Sequence, residues 1–134
     1  PTLAAMIEAG RRVSGVQLGM AQLARTVFYE QVRRFFEPYD LLLTPQMPVA
    51  AWSVERGPDT IDGKPTPTMF DRLNFTFPLN LTGQPAASVP CGFTSEGLPV
   101  GLQIVGRWHA DRLVLQAAAA YEQAAPWASF RPQF

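Results

Sequence analysis

The chain carries one cysteine, one histidine and one lysine among its 134 residues, and each scarcity removes a class of chemistry. A lone Cys91 excludes an intramolecular disulfide framework and leaves no thiolate set for structural zinc. A lone His109, with no paired acidic motif, leaves Asp59, Asp62 and Asp71 as the only metal-ligand candidates. Calcium wants a denser oxygen cluster, so no metal and no cofactor is expected. An excess of one charge is also missing, because eleven basic and eleven acidic residues cancel. Phosphate binding needs a basic excess on one face, so direct binding of nucleic acid is not expected, nor is attraction to an anionic membrane surface. Apolar runs are short, and none approaches the ~20 residues of a membrane-spanning helix. No basic-then-apolar leader opens the sequence, so a cytoplasmic location is expected.

What is present is a moderately apolar chain with few charges. Hydrophobic residues make up 47% and charged residues 16%, the latter low against the usual ~25%. Disorder is excluded on that balance. The length suits one domain or a piece of one.

Residues 2–37 read as helix. Val16, Met20, Leu23, Ala24, Val27, Phe28, Val32 and Phe35 recur at steps of three and four and share a face. Gln22, Arg25, Tyr29, Arg33 and Arg34 fill the other side. Ser14 before Gly15 reads as an N-cap dividing this stretch into two helices, the alternative being one long bent helix. Asp40-Leu41-Leu42-Leu43-Thr44 is of strand length without alternation, which predicts burial on both faces. Residues 46–68 hold six prolines and glycines and read as a long irregular loop, the kind that is usually functional or mobile. A short helix is expected over 69–77, ending before Pro78. Strands are expected over 85–89 and 100–105, joined as a hairpin through Thr94-Ser95-Glu96-Gly97. Asp111 is expected to cap a last helix running over 110–124. The expected organisation is therefore helical 1–37, sheet and loop 40–106, and a terminal helix 110–124: a small α/β arrangement with a thin core.

Few residues offer chemistry by type alone. Cys91 and His109 could form a nucleophile–base dyad if the hairpin brought them together. The plainer reading is that Cys91, in Val89-Pro90-Cys91-Gly92, is a small hydrophobe at a strand end. Lys64 sits in Gly63-Lys64-Pro65-Thr66-Pro67, a polar context without the desolvation that lowers a lysine pKa. Gly92, Gly97, Gly101 and Gly106 lack dinucleotide-fingerprint spacing. The sequons Asn74-Phe75-Thr76 and Asn80-Leu81-Thr82 read better as side chains that satisfy backbone atoms near a turn.

A more specific signal lies in three ordered motifs. They are Asp40-Leu41-Leu42-Leu43-Thr44-Pro45, then Thr76-Phe77-Pro78-Leu79-Asn80-Leu81-Thr82-Gly83-Gln84-Pro85-Ala86-Ala87-Ser88-Val89-Pro90-Cys91-Gly92, then Gly97-Leu98-Pro99-Val100-Gly101-Leu102-Gln103-Ile104-Val105-Gly106. Together they resemble the C-terminal third of the amidase signature family, which includes amide hydrolases and the glutamine-hydrolysing A component of aspartyl/glutamyl-tRNA amidotransferase. The resemblance implies a mixed β-sheet core covered by helices, and a serine hydrolase of carboxamides with a Ser–cis-Ser–Lys triad. The Gly-Gly-Ser-Ser-Gly-type segment carrying those serines has no counterpart here, since Ser14, Ser53, Ser88, Ser95 and Ser129 are isolated. No catalytic residue is therefore expected in this chain, and alone it is expected to be inactive.

The same resemblance points to Leu73, Thr76, Phe77 and Asn80 as substrate-binding positions. In glutamine-specific relatives an acidic side chain stands three residues before the Thr76 equivalent. Leu73 stands there instead and cannot accept from an ammonium, which favours a general, aryl or alkyl amidase; Asp71 and Asn74 lie close by in sequence. Asn80 reads at least as well as a group that bonds the turn at Gly83. Three functions compete. The first is part of an amidase acting on a small-molecule amide, with the A component of a tRNA-dependent amidotransferase as its variant. The second is a stand-alone binding or scaffold module, and the third a small cysteine-dependent enzyme. Strands taken from a larger sheet would leave edges and apolar faces uncovered, so the chain is expected to self-associate.

Overall fold

The computed structural model describes residues 3–130. The expected helix start at Thr2 lies outside them. Two helices open the chain, α1 (Leu3–Gly10) and α2 (Gly15–Phe35). Ser14 separates them with a full capping box: its Oγ accepts from Gln17 N at 3.2 Å while Gln17 Oε1 accepts from Ser14 N at 2.8 Å. The single bent helix is thereby excluded. Then come β1 (Leu41–Pro45), β2 (Thr60–Ile61), β3 (Lys64–Pro65), a 3₁₀ turn (Phe70–Arg72), α3 (Phe77–Thr82), β4 (Ala86–Phe93), β5 (Pro99–Gly106) and α4 (Asp111–Ala124).

The main sheet has the order β1-β5-β4, with both pairings antiparallel. Strand alternation gives it two unlike faces. Ile104 and Leu102 of β5, Ala87 and Val89 of β4, and Leu41 of β1 form the apolar face, against which α4 packs Val114, Ala117, Ala118 and Tyr121. Gly101, Gln103 and Val105 point the other way, opposite Ser88 and Ala86 on β4 and Thr44 and Leu42 on β1. Gly106 lets α4 approach closely, since a Cβ there would lie 2.7 Å from Val114 Cγ2.

Several sequence expectations are corrected by this structure. β1 is an edge strand, and Leu43 is 57% exposed, so it is not buried on both faces. Of the helix expected over 69–77 only a 3₁₀ turn, Phe70–Arg72, is present, and α3 begins at Phe77. Pro78 instead occupies the first turn of α3, where its missing N–H costs nothing and its fixed φ suits the helix. Asp111 begins α4 without capping it; the cap position is Ala110, and Asp111 acts only as a first-turn acidic residue. The 46–68 segment is not wholly irregular. Asp62 (φ 50) and Gly63 (φ 70) form a two-residue turn that pairs β2 with β3, the conformation for which Asp-Gly is suited. Thr66, buried at its end, donates its hydroxyl to Pro58 O, and its N–H donates to Asp59 O at 2.8 Å.

The predicted apolar face of α2 is only partly covered: Val16, Met20, Leu23 and Val27 are exposed, while Phe28 and Val32 are half-buried. What holds α2 to the rest comes partly from its other side. Arg25 Nε donates to Leu81 O at 2.7 Å, and Tyr29 meets the Trp108 ring edge-on at 5.6 Å.

Candidate functional site

The polar-bearing sheet face, opposite α4, carries a small cleft. Its volume is about 220 Å³, and Thr76 and Asn80 from α3 and its entry border it together with Ser88 and Gln103 from the sheet. Gly83 fixes α3 above the strands. It ends the helix in the left-handed conformation (φ 76), with its N–H donating to Leu79 O at 2.8 Å. A Cβ at Gly83 would lie 3.1 Å from Trp108 Nε1, so glycine serves both the turn and the close approach.

Gln103 organises the floor. It is 3% exposed, and its Nε2 donates to Thr44 Oγ1 and to Phe75 O, both at 2.9 Å. Phe75 O can only accept, which fixes the amide with nitrogen toward it. One side chain thus joins β5 to β1 and to the segment that enters α3. Sequence reasoning did not single it out. Its signal was there: a lone amide inside Leu102-Gln103-Ile104-Val105, an otherwise apolar strand.

Of the four expected substrate positions, Thr76 and Asn80 border the cleft. Thr76 Oγ1 donates to Leu73 O at 3.0 Å, so part of its capacity serves the backbone. Leu73 is half-buried and is not among the lining residues; its carbonyl also accepts from the N–H groups of Thr76 and Phe77. Phe77 packs against Phe70, the rings tilted by 53° with centroids 4.7 Å apart. Asp71, the nearby carboxylate, accepts from Thr68 Oγ1 at 2.6 Å and Thr68 N at 2.8 Å. The Thr68 hydroxyl bond, then its backbone bond, holds Asp71 below the usual carboxylate range.

The cysteine–histidine dyad does not form. Cys91 lies at the bulge in β4, its Sγ 3.5 Å from Val100 O near the hairpin tip. His109 follows the far end of β5 and packs on Trp108 at 4.5 Å. Six residues of strand separate those ends, roughly 20 Å at ~3.4 Å each. Lys64 is exposed on β3. No group of three or more His, Cys, Asp or Glu side chains converges on a metal position among the described residues. No helix there is long and apolar enough to cross a membrane.

A three-stranded antiparallel sheet with a helix on one face and a lined cleft on the other is an α/β arrangement, in which no nucleophile–base pair comes together among the described residues. The family model for amidases matches residues 1–115, and the chain belongs to that family. It is 36% identical over 122 residues to an acylamidase of Rhodococcus erythropolis, covering 90% of this chain and 26% of that protein. It is 42% identical over 113 residues to the A component of the glutamyl-tRNA(Gln) amidotransferase of a Cyanothece strain, covering 84% of this chain and 22% of that one. Among solved structures, a bacterial aryl acylamidase of the amidase signature family superposes with a TM-score of 0.82 at 34% identity, over 99% of this chain and 29% of that one. A 6-aminohexanoate cyclic dimer hydrolase gives 0.78 at 30%, over 96% and 28%. The chain therefore spans about a quarter of the length of the relatives it matches.

Proposed function

We propose that these residues form the C-terminal part of an amidase-signature serine hydrolase that cleaves carboxamides through an acyl-enzyme. The organisation proposed is helical 1–37, sheet and loop 40–106 and terminal helix 110–124. The Ser–cis-Ser–Lys triad comes from residues outside this chain. Here the sheet forms part of the core, and the face bearing Gln103 forms one wall of the substrate pocket. The observation that carries this reading is a lined cleft built on the family's motifs with no nucleophile–base pair beside it. Acyl transfer needs an activated nucleophile and an oxyanion site, and a wall supplies neither.

An aryl or alkyl amide suits the cleft better than glutamine does. Leu73 offers no carboxylate, and Asp71 is committed to Thr68. The reading extends to a cytoplasmic enzyme acting on a small amide, and to self-association of the isolated chain through α2 and the edge of β1. Fluorophosphonate labelling and a chromogenic anilide assay test it. The 134-residue chain should show neither labelling nor turnover, and the full-length protein carrying it should show both. Turnover by the chain alone that Cys91→Ala abolishes would refute the assignment.

A further inference from the structure

Residues 69–82 carry Thr76 and Asn80, and their own hydrogen bonds are short-range. The N–H groups of Thr76 and Phe77 donate to Leu73 O at 3.0 and 3.2 Å, and those of Leu79 and Asn80 donate to Thr76 O at 3.2 and 3.3 Å. Such bonds shape the turn and α3 without fixing where they stand over the strands. Among the described residues, one hydrogen bond crosses from the main sheet to this segment: Gln103 Nε2 donates to Phe75 O at 2.9 Å. Its acceptor belongs to the peptide unit that leads into Thr76. The donor is itself held. Gln103 lies in register with Thr44 on β1 and Ser88 on β4, is 3% exposed, and gives its second Nε2 proton to Thr44 Oγ1 at 2.9 Å. A buried amide engaged at both protons keeps one orientation, because turning it would strand two acceptors.

We propose that Gln103 is a positioning residue for amide hydrolysis. Thr44 orients its amide, and the amide pins the Phe75–Thr76 peptide so that Thr76 and Asn80 stand in place at the cleft before substrate arrives. The inference rests on the amidase reading above and adds to it a residue that acts through others. Without the pin, the segment would divide its time between the standing position and others in which Phe75 O finds water. One hydrogen bond of this kind shifts such an equilibrium by up to about tenfold. The apparent affinity for substrate falls by the same factor as the standing fraction. The triad of that reading lies outside this chain and is not touched by Gln103, so the loss falls on KM and not on kcat.

The test uses the full-length enzyme carrying this segment, with p-nitroacetanilide as substrate. Gln103→Met keeps the length of the side chain and removes both donors; KM should rise about tenfold while kcat stays within about twofold. Thr44→Val should move KM the same way by a smaller factor, and Thr44→Ser, which keeps the hydroxyl, should recover most of that loss. Gln103→Glu adds a readout that a loss of packing would not move. Its carboxylate has no proton to donate, whereas its protonated form has one for Phe75 O. Burial beside two acceptor oxygens raises such a carboxyl above its ordinary range. Its KM, taken relative to wild type at each pH, should therefore fall as pH drops from about 8 to about 5. A ratio independent of pH would overturn the donor role. In Gln103→Met, a lower kcat with unchanged KM, the pattern of a smaller active fraction, would overturn positioning, as would no change in either constant. Wild-type enzyme without anilide turnover would overturn the amidase reading and the positioning role with it, whereas the variant outcomes bear on positioning alone.

Discussion

The contact between Gly106 and α4 supports a quantitative prediction. An alanine Cβ at Gly106 would stand 2.7 Å from Val114 Cγ2 and 3.4 Å from Ala110 Cβ, so either the helix lifts or Val114 leaves its rotamer. Overpacking of this kind costs about 1–3 kcal/mol, partly offset by ~0.4–1 kcal/mol from the lower entropy of the unfolded alanine chain. Val114→Ala alone removes two carbons from a side chain that is 2% exposed. At ~0.8 kcal/mol per carbon plus a cavity term, that is about 2–3 kcal/mol. The double variant removes the atom with which the new Cβ collides, and the Cβ fills part of the space vacated. It should therefore cost roughly 2 kcal/mol, against about 4 for the sum, a coupling within the ~0.5–3 kcal/mol seen for touching residues. Urea unfolding at one fixed protein concentration would read this as midpoints, with about 2 kcal/mol moving a midpoint by roughly 1 M. Additivity within ~0.5 kcal/mol would show that Gly106 is not required by the helix–strand approach.

Three other outcomes are expected. Gly83→Ala places a Cβ both at positive φ and against Trp108; it should destabilise by about 1–2 kcal/mol in thermal or urea unfolding, and no loss would remove the dual role given to this glycine. Asp71 is held below its ordinary range when folded. Its contribution is therefore present above the unfolded pKa of ~3.9 and lost as pH falls from there through the folded value. Asp71→Asn should flatten the acid limb of a stability–pH curve there, and an unchanged limb would count against the Thr68 bonds as its origin. Leu23→Lys with Val27→Lys, both on the exposed face of α2, should raise the monomer fraction in sedimentation at tens of micromolar, ~10⁻⁵ M being an ordinary scale for weak interfaces. A wild-type chain already monomeric at that concentration would end the self-association proposal.

Local signals in the sequence were legible where the controlling atoms are close in the chain. Ser14 and Gln17 stand three apart and cap α2 by themselves. The hairpin of β4 and β5 follows from two apolar runs and a short polar turn. Asp62-Gly63 carries an equally local signal, masked by the prolines around it. Pro78 was legible as a boundary, but its side of the boundary was not, because proline tolerates a first helical turn as well as it ends a helix.

The sequence by itself determined the family and the longer elements, α2, β4, β5 and α4, since these depend on residue identity and short spacing. The tertiary structure decided which faces are covered and which residues meet. α2 has an apolar stripe by periodicity, yet exposure depends on what packs there: Val16, Met20, Leu23 and Val27 stay exposed while Phe28 and Val32 are half-buried. Gln103 stands 28 residues from Phe75 and 59 from Thr44, and only strand register brings its amide to both. The scarcity of Cys, His and Lys removed whole chemistries at once. Placing Gln46 over Gly101, where an added Cβ would lie 2.9 Å from Gln46 Cβ, required the fold, because close approach is a property of packing and not of composition.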